Sequence, residues 1–257
     1  MTEPRPAHTC PFRPDAARVD ALIASANFGT RLGTAGIDTL VLHYTGVPTA
    51  ARAIAWLAAP ESQVSAHYVV DTDGRVTQMV AEADRAWHAG KSCWQGDRDI
   101  NSRSIGIEIQ NRGHADGYPA FPDAQIEAVI ALALDIMARH GIARQRVLAH
   151  SDVSPGRKVD PGEKFPWARL GSAGCAVWVA PGPDVSDAPL SADAATLALR
   201  ALAEIGYDID PNGSDLKWIA TVVKTFQLRH RPARADGVLD RQTAEIATRA
   251  AAAFRSP

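Results

Sequence analysis

Apolar and polar positions change period several times along the chain. Residues 37–43 (IDTLVLH) are a short apolar run that stops at polar YTG, which predicts a buried strand. PTAARAIAWLAAP predicts a helix opened by Pro48 and closed by Pro60. SAHYVVDTDGRVTQMV predicts a hairpin, with β-rich arms and Asp73-Gly74 in its turn. SIGIEIQN alternates strictly, so Ile105, Ile107 and Ile109 share one face of a strand while Gly106, Glu108 and Gln110 share the other. PDAQIEAVIALALDIMARHG has a helical period: it starts at Pro122 and Asp123, carries Ile126, Val129, Ile130 and Met137 on one stripe, and ends at Gly141. RVLAH is a second short strand ending in histidine. Strands alternating with helices predict an α/β fold, a mixed central sheet flanked by helices.

Near residue 180 the pattern shifts. APGPDVSDAPLSADA, with three prolines among small polar residues, predicts a linker. Three helical stretches follow: ATLALRALAEIGY, DLKWIATVVKTFQLRH and DRQTAEIATRAAAAF. Asp236-Gly237 reads as a turn before the last of them, and Asp240 as its N-cap. The expected organisation is a first domain over 1–180, a linker over 181–190 and a small all-α domain over 191–257, the last near the lower size limit for independent folding.

Composition narrows the choice. The chain has 257 residues, 46% hydrophobic and 22% charged, with a formal net charge of −2. A balance so near zero gives no field that would draw in nucleic acid or acidic lipid, and no uncharged apolar run is long enough to predict a membrane span. The polar, proline-rich start MTEPRPAHTCPFRPDAARVD predicts neither a secretory leader nor a lipid anchor at Cys10. Cys10, Cys93 and Cys175 are scattered and form no CxxC pair, so neither a disulfide framework nor a thiolate zinc site is expected.

The candidate chemistry starts from two strand-end histidines. His43 and His150 close TLVLH and RVLAH, and open α/β sheets place their sites at the carboxyl ends of strands. If the strands are neighbours the rings meet; taken singly, each is as well explained as a hydrogen-bonded structural histidine. AHSDVSPGRKVDPGEKFPW then sets Asp160 ten residues after His150, behind Pro155 and Gly156 and ahead of Pro161 and Gly162. A loop so punctuated can fold back and return the carboxylate to the strand end. Two imidazoles and one carboxylate suit zinc with a fourth position open, although spacing alone leaves Asp160 equally readable as a solvated loop residue. Glu108 fits a general base, with Gly106 beside it leaving space, or an edge-strand glutamate facing solvent. Lys158, two residues before Asp160, fits an oxyanion stabiliser or a surface lysine. RAWHAGKSCWQGDRDIN concentrates Trp87, His88, Trp94, Arg98 and Asn101, aromatics and donors suited to a sugar or peptide groove, unless Trp87 belongs to the core. His8, His114, His140 and His230 lack supporting context, and Asp152 gains no catalytic role.

VLHYT, VSAHYVVDTDG, RAWHAG, NSRSIGIEI and AHSDVSPGRKVDPGEKFPW, in that order, resemble the zinc-dependent N-acetylmuramoyl-L-alanine amidases of the type-2 amidase family, on its AmpD/AmiD side. The resemblance spans roughly residues 37–170. It implies one Zn2+ per chain on His43, His150 and Asp160, Glu108 as catalytic base and Lys158 at the oxyanion. The expected substrate-binding set is Tyr44, His67, Trp87, His88, Arg98 and Asn101. LRALAEIGY, VVKTFQLRHRP and ADGVLDRQTAEI resemble, more loosely, a helical peptidoglycan-binding domain. The implied function is hydrolysis of the amide between N-acetylmuramic acid and L-alanine, in peptidoglycan or its (anhydro)muropeptide fragments, by a monomer. Two rivals are a catalytically silent peptidoglycan receptor and a metal-free glycosidase pairing Glu108 with a second carboxylate. The first expects a missing zinc ligand, and the second leaves His43, His150 and Asp160 unexplained. Cytoplasm and periplasm both remain open as compartments.

Overall fold

The computed structural model describes residues 12–34, 36–180, 182 and 190–256. His8, Cys10 and most of the 181–190 linker lie outside them. In chain order the elements are β1 (Ala21–Leu22), β2 (Phe28–Gly29), β3 (Thr39–Tyr44), α1 (Ala50–Ala58), β4 (Tyr68–Val70), β5 (Val76–Gln78), β6 (Arg85–Ala86), α2 (Ile100–Arg103), β7 (Ser104–Ile109) and α3 (Asp123–His140). They continue with β8 (Val147–Ala149), α4 (His150–Val153), α5 (Trp167–Ser172), α6 (Ala192–Ile205), α7 (Leu216–His230) and α8 (Arg241–Arg255). Among the described residues no helix is long and apolar enough to cross a membrane.

Six strands form one mixed sheet in the order β1-β5-β4-β7-β3-β8. Only the β4–β5 hairpin is antiparallel, its turn closing where Gly74 adopts φ 87°. A side chain is excluded at that glycine twice over, because a Cβ would also meet Ala124 O on α3 at 2.8 Å. The carboxyl ends of β7, β3 and β8 lie side by side, with Glu108 level with His43 and Ala149 level with Leu42. Glu108 therefore stands on an inner strand rather than an edge.

Strand alternation assigns the two faces. Leu40, Leu42, Ile105, Ile107 and Ile109 turn toward α3, where Ile126, Val129, Leu132 and Ile136 complete a core; Ile130 and Met137 of the expected stripe are only partly buried at its margin. Each fully buried aliphatic side chain contributes about 1.5–3 kcal/mol. The opposite face has two covers. Over β4, Val69 packs with Ala50 and Leu57 of α1. Over β3 and β8, Val41 and Leu148 pack with Leu202, Ile205, Val223, Phe226 and Ile246 from α6, α7 and α8. Packing thus continues across the 181–190 segment, and the carboxy-terminal helices form the second layer over one end of the sheet. The polar carboxyl ends of these strands emerge between α1 and the loops that carry Trp87 and Lys158.

A buried charge cluster ties α3 to the loop after β5. Glu82 Oε1 accepts from Tyr68 Oη at 2.6 Å and from Arg139 Nη2 at 2.8 Å, and Oε2 lies 2.7 Å from His140 Nε2. Burial alone would raise the Glu82 carboxyl, but the hydrogen bonds from Arg139, His140 and Tyr68 outweigh it and hold the pKa down at about 2. His140, without context in sequence, is thereby a structural partner. So is His230, buried with Nδ1 accepting from Val179 N at 3.3 Å.

Candidate metal centre

β3 delivers His43 at its carboxyl end, and β8 runs directly into α4, whose first residue is His150. A loop was expected from Ala149 onward; instead a four-residue helix opens the segment, with Asp152 Oδ2 accepting from Ala149 N at 2.9 Å. The chain then turns and returns, and Ser151 N donates to Asp160 O at 3.0 Å, which sets Asp160 back against the helix. His43 Nδ1 and His150 Nδ1 lie 2.8 Å apart; Asp160 Oδ2 is 3.3 Å from the first and 3.0 Å from the second. Among the described residues this is the one cluster of three histidine, cysteine or acidic side chains whose donor atoms converge.

The outward nitrogens are also engaged. His150 Nε2 lies 3.2 Å from Ala89 O, so it carries the proton and leaves the Nδ1 lone pair free. Arg157 Nη2 donates to the same carbonyl at 2.5 Å and to Ser154 Oγ at 2.7 Å, fixing that acceptor. His43 Nε2 lies 3.1 Å from His88 Nδ1, and His88 Nε2 lies 3.2 Å from Ser104 Oγ, which donates to Ile100 O at 2.6 Å. That chain of donors gives His43 the same tautomer, with Nδ1 facing Asp160. Burial first, then the neighbouring His150, lowers the His43 pKa to about 4, so the ring is neutral near pH 7. Burial opposes ionisation of Asp160, but His150 and His43 hold its carboxyl well below the ordinary range. Two imidazoles with oriented Nδ1 atoms and one carboxylate make a donor set that fits zinc, and their outer partners are of the kind that orient metal ligands.

Above the three donors opens a cavity of about 520 Å³, lined by Tyr44, Trp56, Trp87, His88, Glu108 and Lys158 among others. Glu108 Oε2 is buried there without a hydrogen-bond partner. Such a group needs an account. Burial, then the Asp160 charge, raises the Glu108 pKa well above the ordinary value, and Lys158 opposes them.

Of the expected substrate-binding residues, Tyr44, Trp87 and His88 line the cavity; His67, Arg98 and Asn101 do not. His88 is held by its bonds to His43 and Ser104, and the space expected beside Gly106 is filled by its ring: a Cβ there would lie 2.5 Å from His88 Cγ. His67 is fully buried, with Nδ1 accepting from Gly106 N at 3.0 Å. Asn101 Oδ1 accepts from His88 N and Ala89 N, shaping the loop that carries both. Arg98 is exposed and pairs with Asp208 at 3.2 Å. Sequence reasoning passed over Trp56, Arg157 and His114. Trp56 had a signal: it lies off the buried Ala50, Ala53, Leu57 stripe of α1 and stands exposed over the cavity. His114 Nδ1 lies 3.1 Å from Tyr44 Oη through a fold-back that no local pattern announces.

The sheet, the converging donors and the cavity define a mixed α/β protein with one candidate metal centre among the described residues. Residues 33–163 match the family model for N-acetylmuramoyl-L-alanine amidase, and residues 192–246 match that for a peptidoglycan binding domain. N-acetylmuramoyl-L-alanine amidase AmiD of Escherichia coli strain K12 is 38% identical over 232 residues, covering 82% of this chain and 81% of its own. The solved complex of E. coli AmiD with anhydro-N-acetylmuramic acid-L-Ala-D-gamma-Glu-L-Lys superposes with a TM-score of 0.72 at 36% identity, covering 82% of this chain and 87% of that one. Pseudomonas aeruginosa AmpDh3 in complex with anhydromuramic pentapeptide gives 0.71 at 32% identity, covering 87% and 92%. The chain belongs to the N-acetylmuramoyl-L-alanine amidase family. It is an enzyme that hydrolyses the amide between N-acetylmuramic acid and L-alanine, which sets aside the silent receptor and the glycosidase.

Proposed function

We propose that the chain cleaves this amide in muropeptides with one zinc ion held by His43, His150 and Asp160. The observation that carries the reading is the convergence of those three donors beneath a cavity into which Glu108 brings an unpartnered carboxylate oxygen. Zinc on such a ligand set supplies a Lewis acid and makes water acidic enough to attack near neutral pH. Glu108 takes the proton of the attacking water and passes it to the departing L-alanine nitrogen, which leaves poorly unless protonated. Its raised pKa suits a group that must hold that proton between the two steps. Lys158, half-buried at the cavity wall, meets the negative charge that develops on the carbonyl oxygen. Trp56 and Trp87 offer flat faces to the sugar and peptide.

The ligands bound to the two solved relatives support anhydromuropeptides as the substrate class. Residues 1–180 then carry catalysis and 191–257 engage the glycan, the protein acting as a monomer without nucleic acid. The test is digestion of a defined anhydromuropeptide by the full chain, with and without a chelator, read by mass spectrometry. Release of a peptide with a free L-alanine amine, abolished by chelation and restored by zinc, is expected. Cleavage indifferent to chelation overturns the zinc assignment; products cut between sugars overturn the amidase reading.

A further inference from the structure

Asp152 is buried two residues after His150, and besides the Ala149 amide its partners come from the carboxy-terminal region, Arg229 on α7 and Tyr207 just beyond α6. Arg229 of α7 donates Nη1 to Asp152 Oδ2 at 3.1 Å, and Tyr207 Oη donates to Asp152 Oδ1 at 2.6 Å. The same Nη1 reaches Val147 O, on the free edge of β8, at 3.1 Å. The rest of the guanidinium is anchored as firmly: Nε and Nη2 donate to Val177 O at 3.1 and 2.6 Å, and its carbon lies 3.9 Å from the Trp167 ring centroid. Arg229 is only 2% exposed, so these contacts are desolvated and few other geometries are open to it.

We infer that Arg229 is a positioning residue for the metal centre, holding through Asp152 the short helix that sets two of the three ligands. His150 belongs to α4, and Asp160 is tied to α4 through the Ser151 amide. Four residues are too few for a helix to hold its place by its own hydrogen bonds. The fastening that the helices provide is therefore a condition of the ligand geometry, and the carboxy-terminal region is part of the catalytic apparatus whatever glycan it also binds. This rests on the zinc reading above.

The test compares full-length wild type with Arg229→Met, Arg229→Lys, Tyr207→Phe and Ile246→Val. Zinc affinity is measured by chelator competition and coordination geometry by the visible spectrum of the cobalt-loaded protein. Arg229→Met should weaken zinc by up to about 10-fold, the lower end of what losing a direct outer partner of a ligand costs because Arg229 acts one step further out, and shift the cobalt bands. Arg229→Lys, which keeps the charge toward Asp152, should recover part of both. Ile246→Val loosens the same helical core from α8 without touching Asp152 and should leave both unchanged. If Arg229→Met does not fold, Tyr207→Phe decides, since it removes one hydrogen bond to Asp152 and keeps the ring; weaker zinc and shifted bands are expected. A folded Arg229→Met, or in its absence Tyr207→Phe, with wild-type affinity and spectrum overturns the inference. So does equal weakening in Ile246→Val. Failure of the wild type to bind zinc overturns the function proposed above instead.

Discussion

At Glu108 two effects push one way and one the other: burial and the Asp160 carboxylate raise its pKa while Lys158 lowers it. The carboxylate is not a metal donor in the cluster, so replacing it should separate chemistry from binding. Glu108→Gln is expected to keep zinc affinity within a few-fold and to lower turnover about 10²–10⁴-fold, the ordinary worth of a general base. Full activity in the zinc-loaded variant would remove Glu108 from the scheme. The site was readable in sequence where residue type and strand position agreed, as at His43, Glu108 and His150. It was misread where a side chain's partner lies far along the chain. His67 and Asn101 have the composition of a binding groove, but their polar atoms serve Gly106 and the 88–89 backbone.

At the scale of the element, β7 shows how a strand can be specified by a residue it does not contain. Its alternating isoleucines announce one buried face, while Gly106 on the other face is required by the His88 imidazole. Gly106→Ala should therefore act as overpacking, costing about 1–3 kcal/mol, and should also displace the ring that accepts from His43 Nε2. Urea unfolding with a zinc titration checks this: a lower midpoint and weaker zinc are expected. A variant as stable and as zinc-avid as wild type would show that the ring has room to move. Unlike the two-residue strands and the short helices α2 and α5, the longer elements were legible in the pattern, down to the Asp240 cap, whose side chain accepts from Thr243 N at 2.9 Å. Helix α4 was not, because its carboxylate fastening comes from Arg229 and Tyr207, more than fifty residues away in sequence.

At the scale of the molecule, the buried groups set the response to acid. His67 is pushed down to about 3, first by burial and then by the Arg31 cation, and His230 is lowered in the same direction by burial and Arg229. An unfolded histidine takes its proton near pH 6.5, so between there and about pH 3 the unfolded chain binds more protons than the folded one, and stability falls as pH falls. Glu82 acts with them: its stabilisation is complete above the ordinary 4.5 and is lost as pH drops through about 2. Urea midpoints of the metal-free protein should therefore decline steadily from pH 7 to pH 4, and a flat profile would show that these histidines titrate in the folded state. The sequence by itself determined the periods of the elements, the ordered motifs and the residue types of the metal cluster, because each is encoded within a strand, a turn or one loop. Only the tertiary structure decided that β3, β7 and β8 would stand side by side, and that the space between α1 and the loops carrying Trp87 and Lys158 would become the cavity. It also decided that the helices beyond the linker would pack on the sheet and grip α4, since such contacts are chosen by the fit of distant surfaces and leave no period in the chain.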